Sequence, residues 1–134
     1  MKDPRKIEHS LIAQAAGILA SGGLVAFPTD TVYGIGVDAL NPRAVGRLFR
    51  TKGRQKDQPI PVLLASRDEV TKIARINKNA ELLADAFWPG PLTLILKAHD
   101  VVPTMITAGS GTVGVRVANH PVPHDLTTLF GGPI

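Results

Sequence analysis

The chain has 134 residues, 44% of them hydrophobic and 19% charged, so it can bury the core of one domain and is not expected to be disordered. It contains no cysteine, which excludes disulfides, thiol chemistry and cysteine-ligated metal sites. The net charge of +4 favours anionic partners, and neither a membrane span nor a signal peptide is evident. We therefore expect a soluble cytoplasmic protein with one domain, residues 1–134.

Helical and extended patterns alternate in the first half of the chain. Gly22-Gly23 ends a first helix, and a buried strand follows at residues 24–27. Asn41-Pro42 begins a second helix, with asparagine as the cap and proline in the first turn. The predicted apolar faces are Ile7, Leu11, Ala15, Ile18 and Leu19 on the first helix and Val45, Leu48 and Phe49 on the second.

The same alternation continues in the second half. Strands are predicted at residues 60–65, 92–97 and 112–118, and a last helix at 121–130. Ser66 and Glu69 form a capping-box pattern before a helix that carries Val70, Ile73 and Ala74. A further helix, ended by Trp88-Pro89-Gly90-Pro91, has a predicted apolar face of Leu82, Leu83, Ala86 and Phe87. This order predicts an α/β fold in which helices flank a sheet.

Hydroxyl groups, one carboxylate and two glycines follow the first strand, in residues 28–36. Ligands commonly bind at strand ends in α/β proteins, and glycine allows the backbone to approach a ligand closely. These residues therefore indicate a binding loop. A polar turn, whose threonine and aspartate side chains bond to nearby backbone groups, is an equally good interpretation.

A basic run follows, and no acidic residue lies between positions 39 and 56. Its members are Arg43, Arg47, Arg50, Lys52, Arg54 and Lys56. The four arginines would share one face of a continuing helix, where a phosphate or a nucleic-acid backbone would relieve their repulsion. A solvated helix face is the alternative. Lys52-Gly53-Arg54 is the sharper signal, because arginine can bind phosphate with two hydrogen bonds and lysine adds a point charge.

The strand at residues 112–118 also carries polar groups. Alternation places Thr112, Gly114 and Arg116 on one side, with three valines on the other. Arg116 on such a strand needs either an anion or solvent. His120 and His124 are spaced as a metal pair but are interrupted by prolines, so no metal site is predicted, and neither a nucleophile elbow nor a Walker loop is present.

Together these segments resemble the Sua5/YrdC family. Residues 22–34, Gly-Gly-Leu-Val-Ala-Phe-Pro-Thr-Asp-Thr-Val-Tyr-Gly, resemble its opening signature, and Lys52-Gly53-Arg54 falls at its K-x-R motif. Residues 87–94 resemble its W-P-G-P-L-T segment, and residues 112–116 and His120-Pro121 continue the match in order. The similarity runs from about Ala16 to Ile134.

The resemblance implies a twisted mixed α/β sheet with flanking helices around a positively charged cleft. It also implies a nucleotidyltransferase that converts L-threonine, bicarbonate and ATP, with Mg²⁺, to threonylcarbamoyl-AMP and pyrophosphate. Partner enzymes of the family then use that product in the threonylcarbamoyl modification of adenosine in tRNA. Binding of double-stranded RNA is a further property of the family.

Site residues carry over from the family by motif. Thr29 and Arg116 match the positions that hold substrate threonine, with Arg116 on its carboxylate. Lys52 and Arg54 match the catalytic cations that face the ATP phosphates, and Thr112 matches another ATP contact. Thr31 and Tyr33 lie beside these residues in the opening signature.

The chain departs from the family pattern in three respects: the residue after K-x-R, two positions that follow it, and the sequence beyond Ile134. Gln55 stands where proline is common after K-x-R, Gln58 where many relatives have an ATP-binding asparagine, and Leu63 where many have histidine. Gln58 can still form a hydrogen bond to ATP. The family also continues past Ile134 with an S-x-N motif that binds ATP, so the resemblance implies a domain that is incomplete at its C-terminus and makes little or no product by itself.

Three other functions are alternatives to the synthase. A nucleic-acid-binding module would use the basic run, and its binding would weaken steeply with salt. An inactive fragment of the enzyme is the second alternative. A carbamoyl-transfer domain is the third, but the hydrogenase-maturation proteins that contain a related module carry zinc-finger cysteines, which this chain lacks.

Overall fold

The computed structural model describes residues 4–134, with side chains from Glu8 onward. Its helices are α1 (Pro4–Ala20), α2 (Pro42–Lys52), α3 (Lys78–Phe87), α4 (Thr104–Thr107) and α5 (Pro121–Phe130), with a 3-10 helix at Arg67–Lys72. Its strands are β1 (Val25–Phe27), β2 (Gly34–Gly36), β3 (Val62–Leu63), β4 (Ala74–Arg75), β5 (Leu94–Ala98) and β6 (Thr112–Arg116). Within residues 4–134, no helix has the length and hydropathy needed to cross a membrane.

The strands form two sheets. β1 and β2 make an antiparallel hairpin in which Val25 lies opposite Gly36. The larger sheet has the order β3-β6-β5-β4, with β3 parallel to β6 and the other pairs antiparallel. This mixed sheet with helices packed on it confirms the predicted α/β fold class.

Ile134 joins the two sheets. Its backbone N–H donates to the carbonyl of Leu63, in β3, at 3.1 Å. The Leu63 N–H donates in return to the carbonyl of Ile134 at 2.7 Å. Its side chain meets the hairpin at Gly36, where an added Cβ would lie 2.5 Å from Ile134 Cγ2 and 2.8 Å from the ring of Phe27. Only glycine therefore fits at position 36 without displacing its neighbours.

Two apolar clusters hold the fold together. The larger lies between one face of the four-stranded sheet and α2, where Val45, Leu48 and Phe49 are buried as predicted. The smaller consists of Ile12, Ala16, Leu19, Phe27, Leu126 and Ile134, so that α1 and α5 pack together over the hairpin. The opposite face of the four-stranded sheet carries polar groups, among them Thr112 and Arg116 of β6.

The ends of α2 match their sequence signals. Asn41 Oδ1 accepts from the N–H groups of Arg43 at 3.0 Å and Ala44 at 3.3 Å, which confirms the predicted cap. Gly53 follows the helix in the left-handed region, with φ of 61°. Because the helix stops there, Lys52 is its last residue and Arg54 lies in the following loop.

The predicted apolar face is wrong in part for α1 and wrong for α3. In α1, Leu19 is buried and Ala15 is partly buried as predicted, but Leu11 and Ile18 are exposed. Ile12 and Ala16 are buried in their place because α5 packs against that side, and Ile7 lies outside the described side chains. In α3, Ala80 and Ala84 are buried, whereas Leu82, Leu83 and Phe87 are exposed. Small alanine side chains let this helix lie close to the core.

Three short elements were not predicted: β2, β4 and α4. The predicted helix after Ser66 is a 3-10 helix that ends at Lys72, and the Ser66 side chain forms no capping bond. Ala74, which was assigned to that helix, pairs with Ala98 of β5 instead. Pairing with distant strands decides the conformation of such short segments, and local sequence carries little of that signal.

Candidate functional site

A cleft of about 270 Å³ opens between the β1–β2 hairpin, the end of α2 and the polar face of β6. Its apolar wall includes Phe27, Ile35, Val37, Leu48, Leu63 and Ile106. Six of the predicted site residues line it: Thr29, Thr31, Tyr33, Lys52, Arg54 and Arg116. The cleft thus brings together groups that span 88 positions of the chain, from 29 to 116.

The loop after β1 is organised by Thr29. Its Oγ1 accepts from the Thr31 N–H at 3.2 Å and donates to the carbonyl of Val32. Thr29 Oγ1 also lies 3.2 Å from Thr31 Oγ1. The polar turn considered from the sequence is therefore present, and the same two hydroxyl groups line the cleft.

Arg116 is the most highly connected side chain of the site. Its Nη2 pairs with Asp30 Oδ1, its Nη1 donates to Thr31 Oγ1 at 3.2 Å, and its Nε donates to Gly90 O at 3.2 Å. The Arg116 and Asp30 side chains are only 15% and 13% exposed. Of the two possibilities that the sequence left open for Arg116, an anion or solvent, the structure shows an anion, the carboxylate of Asp30.

The alternation of side chains along β6 places Arg116 on the face of the strand that borders the cleft. Val113 and Val115 are buried in the larger cluster, whereas Thr112, Gly114 and Arg116 lie on the opposite, partly open face, as predicted. The turn after Trp88 completes the arrangement. Gly90 N–H donates to Val117 O at 2.8 Å, which fixes the Gly90 carbonyl beside the Arg116 guanidinium.

Lys52 and Arg54 both lie at the rim of the cleft but differ in exposure and in hydrogen bonding. Lys52 is exposed at the end of α2. Arg54 is half-buried and braces its own loop, since Nε donates to Gln58 O at 3.2 Å and Nη2 donates to Pro59 O at 2.6 Å. With Arg116, three cationic side chains line the cleft, and of these only Arg116 pairs with a carboxylate, that of Asp30. The cleft therefore carries a positive charge suited to an anionic ligand.

The predicted stripe of four arginines forms only in part. Arg54 lies beyond the helix, and Arg47 Nη1 donates to the carbonyl of Gly22 at 2.9 Å. Arg43, Arg47 and Arg50 all lie on the exposed surface of α2. The early end of the helix at Gly53 is the physical reason, because it turns the chain before the stripe is complete.

Two predicted site residues lie outside the cleft. Thr112 begins β6, about 13 Å along the strand from Arg116 at the usual rise per residue, and its Oγ1 lies 2.9 Å from Ser110 Oγ. It borders a separate depression that Arg75 and Lys97 also line. Gln58 is exposed in the loop that Arg54 braces.

Sequence reasoning missed the roles of Asp30 and Gly90. Both lie within segments that carry sequence signals, residues 28–36 and 88–91, but those signals by themselves do not point to these two residues. A signal did exist: Arg116 was expected to need an anion, and Asp30 was the one carboxylate in the binding loop. What the sequence could not supply was their contact across 86 positions.

Comparisons with known proteins agree with this architecture. The family model for Sua5, YciO and YrdC, described as telomere recombination, matches residues 17–134. The chain is 47% identical over 130 residues to the threonylcarbamoyl-AMP synthase of Pyrococcus abyssi, covering 96% of this chain and 38% of that protein. It is 41% identical over 125 residues to the enzyme of the same name from Bacillus subtilis, covering 92% of this chain and 36% of that protein.

A solved structure shows the same fold. The crystal structure of P. abyssi Sua5 complexed with L-threonine superposes with a TM-score of 0.91 at 46% identity, over 93% of this chain and 37% of that one. The chain therefore spans less than two fifths of the length of these relatives. On the family match and the shared fold together, the chain belongs to the Sua5/YciO/YrdC family.

Proposed function

We propose that the cleft binds L-threonine and the phosphates of ATP, and that the chain serves the synthesis of threonylcarbamoyl-AMP for tRNA modification. One observation carries the proposal: Thr29, Lys52, Arg54 and Arg116 converge on a single positively charged cleft. Relatives at 47% and 41% identity are named threonylcarbamoyl-AMP synthase, and a 46% identical relative was crystallised with L-threonine.

The shape of the cleft suits a small amino acid. Its volume of about 270 Å³ is just below the usual range for pockets that enclose drug-sized ligands. Arg116 would bind the carboxylate of threonine, and the hydroxyl groups of Thr29 and Thr31 offer hydrogen bonds. The nucleotide would extend beyond this volume, over the rim where Lys52 and Arg54 lie.

The chemistry requires positioning and charge neutralisation. The neutral amine of threonine condenses with bicarbonate to form a carbamate, and the amine proton leaves with the bicarbonate hydroxyl group as water. A carbamate oxygen then attacks the α-phosphorus of ATP as pyrophosphate leaves. No covalent nucleophile is needed, in keeping with a cleft lined by hydroxyl groups and cations. Lys52, with its exposed ammonium group, would neutralise charge on the phosphates.

The residues of the cleft do not fit a metal held by the protein. Among the described residues no group of three histidine, aspartate or glutamate side chains is arranged to hold an ion. Asp30 already uses one oxygen for Arg116 and the other for the Asn119 N–H. The Mg²⁺ that accompanies ATP would therefore be held by phosphate oxygens and water, as is common for this ion.

Ligand-induced thermal stabilisation tests the proposal. We expect L-threonine and Mg-ATP each to raise the melting temperature of the 134-residue chain, since a ligand that binds the folded state stabilises it. Lys52→Ala should lose the ATP response and keep the threonine response. Lys78→Ala, which removes an exposed cation at the start of α3, is the matched control and should keep both.

The alternative function predicts a different pattern. A chain that responds to neither threonine nor ATP, but to double-stranded RNA in a manner that weakens steeply with salt, would be a nucleic-acid module and not part of a synthase. Detection of threonylcarbamoyl-AMP by mass spectrometry, dependent on threonine, bicarbonate and ATP, would support synthesis directly.

A further inference from the structure

Both carboxylate oxygens of Asp30 are engaged. Oδ1 pairs with Arg116 Nη2, and Oδ2 accepts from the backbone N–H of Asn119 at 3.0 Å. The Asp30 side chain is 13% exposed, so water has limited access to the pair. Asp30 therefore ties the loop after β1 to the end of β6 and to the turn that follows β6.

The guanidinium group of Arg116 is fixed at three of its five N–H donors. Asp30, Thr31 and Gly90 each receive one bond, from Nη2, Nη1 and Nε respectively. One N–H on each terminal nitrogen is then not engaged by the described residues. Two N–H groups are the number that a carboxylate requires for a bidentate pair with arginine.

Two roles for Asp30 are physically distinct. As a competitor, it would occupy Arg116 until a substrate carboxylate displaced it, and its removal would strengthen substrate binding. As a positioning group, it would hold the planar guanidinium in one orientation, and its removal would weaken substrate binding. If a substrate displaced Asp30 from Arg116, the partly buried Asp30 carboxylate and the Asn119 N–H would lose their partners. Because that loss is costly, the geometry opposes the competitor role.

We propose that Asp30 is a positioning residue, which acts through Arg116 to present two N–H groups to the carboxylate of the amino-acid substrate. This inference rests on the proposed function for the identity of that substrate. It goes further by assigning a role to a residue that would not itself touch threonine. It also explains why the opening signature contributes a carboxylate to a site built to bind anions.

Calorimetric titration of L-threonine into the full 134-residue chain tests the proposal. We expect Asp30→Asn to weaken threonine binding about tenfold, by analogy with the loss in metal affinity when a group that orients a metal ligand is removed. Asp125→Asn removes an exposed carboxylate from α5 and should bind like the wild type. Equal or tighter binding by Asp30→Asn would overturn the proposal in favour of a neutral or competing role.

A second measurement reports on Arg116 without any ligand. In the wild type, the guanidinium protons of Arg116 should give resolved NMR signals because rotation about the Nε–Cζ bond is hindered by three partners. In Asp30→Asn these signals should broaden or merge. Unchanged signals would contradict the proposal, whereas a wild type that shows restrained Arg116 signals and no threonine binding would contradict only the proposed function.

A conservative variant covers the case in which Asp30→Asn does not fold. Asp30→Glu keeps the charge but moves the carboxylate by one methylene group, so it separates charge from position. We expect it to bind threonine more weakly than the wild type and to remain folded by circular dichroism. Wild-type affinity in folded Asp30→Glu would show that charge alone suffices, and the positioning role would be wrong.

Discussion

Two arginine–carboxylate pairs in this protein share their chemistry and differ in their surroundings. Arg116, which lines the cleft, and its partner Asp30 are 15% and 13% exposed. On the surface, Arg67 pairs with Asp85, and those side chains are 39% and 56% exposed. Arg67 also lies 3.7 Å from Glu81, which is 47% exposed. The two pairs show that low solvent exposure of the paired side chains, and not the ion pair as such, distinguishes the candidate binding site from the surface.

The physical reason lies in solvation. Water and salt screen the surface pair, so its contribution to stability is small. The cleft pair has lost most of its water, so each partner depends on the other and on its hydrogen bonds with Thr31, Gly90 and Asn119. A partly buried pair of this kind fixes the orientation of both side chains, and the loss of either partner leaves the other as an uncompensated charge.

The largest effect is expected for Arg116→Met, which leaves Asp30 partly buried without its counter-charge. We expect a loss of about 3 kcal/mol in the free energy of unfolding, measured by urea denaturation. Arg67→Met is the matched control and should lose less than about 1 kcal/mol. The double variant Arg116→Met with Asp30→Asn should recover part of the loss, and similar losses for both single variants would remove the contrast between the two pairs.

A smaller effect is expected for Gly36→Ala, in the wall of the cleft. The added methyl group would lie 2.5 Å from Ile134 Cγ2 and 2.8 Å from Phe27, so we expect thermal denaturation to show a loss of about 2 kcal/mol from overpacking. Gly17→Ala is the surface control, because nothing lies within 4 Å of an added Cβ there. That exposed helical position should gain up to about 1 kcal/mol. A neutral Gly36→Ala would show that the hairpin and Ile134 separate easily.

The smallest effect is expected for Asp85→Asn, which breaks the surface pair. Its free energy of unfolding should change by no more than about 0.5 kcal/mol. High salt should abolish even that difference, because the exposed charges are screened, while the effect of Arg116→Met should persist. Denaturation at low and high sodium chloride would measure both, and a large, salt-resistant effect at Asp85 would contradict the comparison.

Local signals in the sequence predicted much of the secondary structure. Asn41 and Gly53 mark the ends of α2 because a side-chain acceptor and a left-handed glycine satisfy the backbone groups that a helix leaves open. Alternation along β6 placed Arg116 opposite the buried valines. Motif resemblance then grouped Thr29, Lys52 and Arg54 with Arg116, and the structure places all four around one cleft.

The sequence by itself thus determined the family, the fold class, the ends of α2 and the side of β6 that carries polar groups. Tertiary structure alone decided which faces of α1 and α3 are buried, that Arg47 binds the Gly22 carbonyl, and that Thr112 lies apart from the cleft. It also decided that Asp30 pairs with Arg116. Caps and alternation act between near neighbours in the chain, whereas these contacts join positions that only the packing of strands and helices brings together.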